Sequence, residues 1–245
     1  METFQAAAQT GFEAEALEHI RQAYPLALKG ADEPGLRQMI SRGVKRARQN
    51  GFKARGPVQM FLDFLVLLGH QFDQDPVLFW AADILQDRDD LDEMTQAARL
   101  HLHVSNYIQL VYGRNGEHIA KGLERLAKGP AEELTQVGRA FETSAIPWLQ
   151  CLHPRKCAYS GTNAIGNLMR MARDASERSG LPPVEGPPLL LVLMFGFGSG
   201  VLTDPLFPWV AGGLQNGGDA TARLERLTAR TVAYMRQALE NRTKG

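Results

Sequence analysis

An all-α fold is predicted by two observations: apolar residues recur at helical rather than alternating spacing, and no run rich in Val, Ile and Thr alternates over more than a few residues. A third observation organises the helices. Residues 12–86 recur without a gap as 141–215, at a single offset of 129. The register rests on rare residues: Trp80 with Trp209, Asp75-Pro76 with Asp204-Pro205, Gly69 with Gly198, Gly51 with Gly180, Pro25 with Pro154, and Phe12-Glu13 with Phe141-Glu142. Where residues differ they often keep their character, as Ile20 with Leu149, Met39 with Leu168 and Phe64 with Leu193. The expectation is a tandem duplication whose apolar pattern was kept while its polar surface diverged. The two copies are expected to pack as a pseudo-symmetric helical bundle, the first unit with its following helices over 1–129 and the second over 130–245.

Each copy is predicted to open with a helix near 12–23 and 141–152, followed by a second near 33–50 and 162–179. Gly51 and Gly180 stand just beyond these second helices, where a residue of left-handed conformation ends a helix most readily. A third, strongly apolar helix is predicted near 57–68 and 187–197. Residues 189–201 carry no charge, but a spanning helix needs about 20 apolar residues, so this stretch reads as a buried core helix. A fourth helix begins near 76 and 205, where Asp75 and Asp204 supply a carboxylate to orphan backbone N–H groups and the following proline loses nothing at the first helical position. Residues 92–112 and 117–128 read as further amphipathic helices, and 221–239 closes the second copy in the same way. Lys128-Gly129-Pro130 marks the boundary between the units.

Composition narrows the function. Lys plus Arg equals Asp plus Glu at 27 each, so the chain as a whole lacks the field that draws proteins to nucleic acid or anionic lipid, and no nucleic-acid partner is expected. The N-terminus has no basic region followed by an apolar stretch, which points to the cytoplasm and to no stable membrane insertion.

Several stretches resemble chemical sites and fail on inspection. Gly196-Phe-Gly-Ser-Gly200 lacks the glycine spacing of a nucleophile elbow and of a dinucleotide loop, and reads with Gly69-His-Gln-Phe as a helix cap. Cys151, His153 and Cys157 offer three potential metal ligands where a structural zinc takes four, and no partner pair exists, so packing thiols are expected rather than a metal site or a disulfide. His101 and His103 lie two apart on a helix, which projects them to different sides, one expected buried and one exposed. The acidic run Asp87, Asp89, Asp90, Asp92 and Glu93 lacks calcium-loop spacing and is expected to open a helix. Asp75 is expected as a cap and Asp73 as a solvated neighbour. No catalytic residue, cofactor or metal is expected from these patterns. An enzyme using His101, His118 or the Asp73/Asp75 pair in a cleft between the copies is the competing expectation.

The segment Phe72-Asp-x-Asp-Pro-x-x-x-Trp80-Ala-Ala-x-Ile-Leu85, with Phe12-Glu13 near the start and Pro154 three residues before Cys157, resembles a family of small all-helical bacterial proteins encoded beside type VI secretion spike and PAAR-like genes, usually with one copy of the unit. The resemblance covers most of the first copy and more loosely the second, where Gly198-Ser-Gly-Val replaces the Phe-Asp of the pattern. It implies a cognate secreted effector or a spike-associated protein as partner, bound by an adaptor or chaperone, with an immunity protein as the alternative. The residues expected to meet that partner are the basic cluster Lys45, Arg46, Arg48, Lys53 and Arg55 and the loop residues His153, Arg155, Lys156 and Tyr159.

Overall fold

The protein is described here by a computed structural model covering residues 2–243, except 26, 29, 88–90, 115 and 216; of residues 2–8, 242 and 243 only the backbone is described. The described residues form helices and no strand. In order these are α1 (Glu2–Ala23), α2 (Glu33–Gln49), α3 (Arg55–Leu68), α4 (Phe79–Gln86), α5 (Glu93–Tyr107) with a π-helical extension Ile108–Tyr112, α6 (Ala120–Ala127), α7 (Ala131–Arg139), α8 (Phe141–Leu152), α9 (Pro154–Arg178), α10 (Gly186–Phe197), α11 (Pro208–Gln215) and α12 (Ala220–Thr243). Three 3-10 turns, Phe72–Gln74, Pro76–Leu78 and Val201–Thr203, join α3 to α4 and α10 to α11.

The fold class is therefore all-α, and most helix ends fall where the sequence places them. Two of the differences have local causes, and a third lies at the start of α1. The stretch before the second helix of the second half is itself helical, so α9 starts at Pro154 and breaks at Gly161, whose φ of 78° and ψ of 163° no ordinary helix residue adopts. The fourth helix of the first half opens as a 3-10 turn, because Asp75 accepts from the N–H only two residues on. And α1 begins ten residues before the expected start at residue 12.

Buried apolar residues of both halves belong to one continuous core. At its centre stands α10, in which every residue from Gly186 to Phe195 is buried, as a helix apolar on all sides requires. It packs on α9, α7 and α8. Burying each of its leucines stabilises the fold by roughly 1.5–3 kcal/mol. Across the expected boundary at 129/130, α6 packs against α12 and α8. Among the described residues no helix is long and apolar enough to cross a membrane.

The α3 and α10 ends meet each other through matching geometry. Gly69 and Gly198 both cap their helices at φ 98°, with ψ of 152° and 151°. A Cβ on Gly69 would stand 2.5 Å from the Phe197 carbonyl oxygen, and one on Gly198 would stand 2.9 Å from that of Leu68. The neighbouring carboxylates each serve two masters. Asp75 accepts from Val77 N–H at 2.9 Å with one oxygen and from Ser199 N–H across the junction at 2.7 Å with the other. Asp204 accepts from Leu206 N–H at 2.9 Å and, in return, from His70 N–H at 3.2 Å. Two buried carboxylates thus satisfy four backbone donors that would otherwise be orphans, and they tie the halves together.

Candidate functional site

The candidate site is a cavity where the start of α9 meets the end of α10. His153 separates α8 from α9, and its Nδ1 accepts the Lys156 N–H at 3.3 Å, closing the first turn of α9, with Pro154 at the first helical position. One turn in, the buried Lys156 reaches the last turn of α10. There its ammonium donates to the Phe195 carbonyl at 2.5 Å and sits 5.0 Å from the centroid of the Phe195 ring. A cation at a helix C-terminus meets unpaired carbonyls and the negative end of the dipole. A cavity of about 120 Å³, partly open to solvent, lies beside these two side chains. Tyr112 from the π-helical extension, Leu123 and Leu126 from α6, Leu152 from α8, Val192 from α10 and Met235 from α12 wall it.

The electrostatics of this corner follow from burial. Desolvation, then the charges of Lys156 and His118, lower the His153 pKa to about 4, so the ring is neutral near pH 7. Because Nδ1 accepts a backbone hydrogen bond, the ring proton belongs on Nε2, and that nitrogen is buried with no partner. Burial pushes the Cys157 thiol up to about 12, which leaves it a packing group. Burial is also the main reason the pKa of Asp75 is raised, with Lys156 opposing it. Nearby Tyr107 is fully buried against the rings of Trp80, Tyr112 and Tyr159, and its phenol is held well above its ordinary value by burial.

The residues expected at a partner surface separate in space. Arg155 is exposed and Tyr159 half-buried, while His153 and Lys156 face inward. The first-half basic cluster divides three ways. Lys45 and Arg48 line an open cleft between α1 and α2, where Arg48 donates to Gln9 at 2.7 Å. Arg46 turns to the opposite side and is consumed by Asp73 at 2.7 Å and the His70 carbonyl at 3.1 Å. Lys53 and Arg55 are exposed at the start of α3, where Arg55 pairs with Glu15 over the Phe12 ring.

Other expectations also meet the geometry here. Asp73 is buried rather than solvated, because Arg46 and Asn50 fold over it. Neither His101 nor His103 is buried: His101 is exposed beside Phe64, and His103 stacks half-buried on Trp80. His118 is half-buried in the turn before α6 and its charge acts on His153, away from His101 on α5. In the acidic run, Asp89 and Asp90 lie outside the described residues. Asp92 caps α5 by accepting from Met94 and Thr95, and Glu93 accepts the Lys53 and Ala54 N–H groups at the start of α3. Cys151 is exposed, Cys157 is buried and both thiols are free. Among the described residues no group of three or more His, Cys, Asp and Glu is placed to hold a metal ion.

Two features went unread in the sequence. Lys156 lies one turn before the buried Ser160 on α9 and shares its inward face. The second feature is on α5, where Met94, Ala98 and Leu102 recur at four-residue steps and are all exposed, Met94 at 62% and Leu102 at 58%. The contact of Tyr107 with Trp80 recurs as Tyr234 with Trp209, which aligns α5 with α12. In that alignment the corresponding positions on α12 are Thr221, Glu225 and Ala229, also exposed. No protein-family model, curated protein or solved structure matches this chain.

Proposed function

We propose that this is a non-enzymatic, cytoplasmic binding protein that holds a cognate type VI secretion effector as an adaptor or chaperone, on a scaffold that arose by tandem duplication. The observation that carries a binding role is the exposed apolar stripe Met94–Ala98–Leu102 on α5. At 1.5 Å per residue it runs for about 12 Å, with the i, i+4 spacing that helix-in-groove contacts use. An apolar stripe left open to water is what a partner surface presents. Its absence from the aligned face of α12 supports a contact made by one half alone. The class of partner rests on the likeness around Asp75-Pro76 and Trp80. Of the expected cations, Lys53 is the one held beside this stripe, its backbone N–H bonded to Glu93 at the start of α5.

The test starts from the tagged chain in its native bacterium, with stoichiometric partners identified by affinity capture. The variant Met94→Asp/Leu102→Asp is expected to lose a secreted effector that the unmodified chain retains, at unchanged thermal stability. Full retention by that variant sinks the stripe as the contact. Assay of the effector within the complex separates the two roles: an adaptor leaves its activity intact, and an immunity protein abolishes it.

A further inference from the structure

We infer that the cavity between α6, α9 and α10 is a binding site for a small apolar monocarboxylate, distinct from any protein partner held on α5. Its walls are apolar, yet two polar side chains more than nine-tenths buried stand at its edge. Both are donors. The His153 ring presents Nε2–H, because Nδ1 is taken by the α9 backbone, and Nε2 has no acceptor. Lys156 has three N–H groups, of which the Phe195 carbonyl takes one. Among the described residues no carboxylate lies within ion-pairing distance of its ammonium, and Asp75 gives its two oxygens to Val77 and Ser199. A buried donor without an acceptor costs stability, and the Asp75 charge that acts on Lys156 makes no hydrogen bond to its ammonium. A ligand carboxylate answers both donors: one oxygen accepts from His153 and the other from Lys156, while the hydrocarbon fills the space beside Leu123, Val192 and Met235.

The volume sets the size. A dry cavity of about 150 Å³ holds benzene, so about 120 Å³ with an open mouth suits an acid of about five to eight heavy atoms. Copy of the site is missing from the first half, where the positions 129 residues earlier are Tyr24 and Ala27 in place of His153 and Lys156. One site per chain is expected.

The experiment is an NMR titration of the whole chain with butanoate, pentanoate and hexanoate, each against its alcohol, following the His153 ring and the Lys156 amide. Saturable shifts are expected for the acids, at least about tenfold tighter than for the alcohols, since a charge-assisted hydrogen bond is lost with the carboxylate. Lys156→Met is expected to erase the preference for acids. Leu123→Trp, which fills the mouth and leaves both donors in place, is expected to abolish binding of acids and alcohols alike, and it decides the matter if Lys156→Met fails to fold. Absence of saturable shifts, equal affinity for acids and alcohols, or unchanged binding in Leu123→Trp would each overturn the site.

Discussion

Below the end of α3, Arg46 and Asp73 meet in a buried ion pair; 129 residues on, the same two places hold Ala175 and Leu202. The surroundings correspond closely. Each place follows an apolar helix capped by a glycine at φ 98°, and each is followed by an aspartate that caps the next turn. One half has filled the space with charge and the other with hydrocarbon. The charged solution is incomplete: Arg46 Nη2 and Asp73 Oδ1 are both buried without a partner. That sequence difference predicts that the pair can be replaced together, while leaving either charge alone is costly.

The largest predicted effect breaks that pair on one side. Arg46→Ala leaves the Asp73 carboxylate buried with only Asn50 at 3.3 Å, and is expected to cost about 3–5 kcal/mol of unfolding free energy by urea titration. Arg46→Ala/Asp73→Leu installs the second half's own residues and is expected to recover most of that loss. A double variant as unstable as the single one would show that the two turns are not interchangeable.

Next in size are the glycines of the junction, where the halves can be compared directly. Gly69→Ala and Gly198→Ala both force a side chain into positive φ, at about 1–3 kcal/mol each. The new Cβ meets a carbonyl oxygen at 2.5 Å in the first and 2.9 Å in the second, so Gly69→Ala is expected to lower the thermal midpoint further. Equal losses would mean that the backbone shifts to absorb the closer contact.

How far these features were legible in the sequence follows from the range of the interactions behind them. The caps at Asp75 and Asp204 and the glycines at 51, 69, 180 and 198 answer to residues within one turn, and local sequence carries that information. The second oxygen of each aspartate bonds a residue more than a hundred positions away, which no local pattern encodes. Asp73 looked solvated because its cover, Arg46, is 27 residues distant on another helix. Lys156 is expected on a partner-facing loop, but the stretch is helical and its ammonium is taken by the Phe195 carbonyl, 39 residues away on α10. The exposed apolar face of α5 looked like any amphipathic stripe until its packing was known, because apolar periodicity does not say which face is covered.

A smaller effect sets Asp204 against its neighbour His70 by pH. Burial raises the Asp204 pKa to about 6, against an ordinary 3.8, so the folded state holds that proton more tightly than the unfolded chain. Its contribution to stability is therefore full below pH 3.8 and lost as pH rises through about 6. His70, whose ring lies 3.8 Å from Asp204, has a pKa lowered to about 4 by burial and by Arg46 and Arg42, and acts in the opposite sense. Its contribution is full above pH 6.5 and lost as pH falls through about 4. Between pH 4 and 6 the two oppose each other. Asp204→Asn removes the first and leaves the second, so its thermal midpoint is expected to rise with pH across this window more steeply than that of the unmodified chain. The amide keeps an oxygen for Leu206 N–H but turns a donor toward His70 N–H, which lowers stability by about 1–2 kcal/mol where Asp204 is protonated and still able to accept. Parallel pH profiles would show that the carboxylate at this junction titrates at its ordinary value, and that the cross-link to His70 does not depend on its charge.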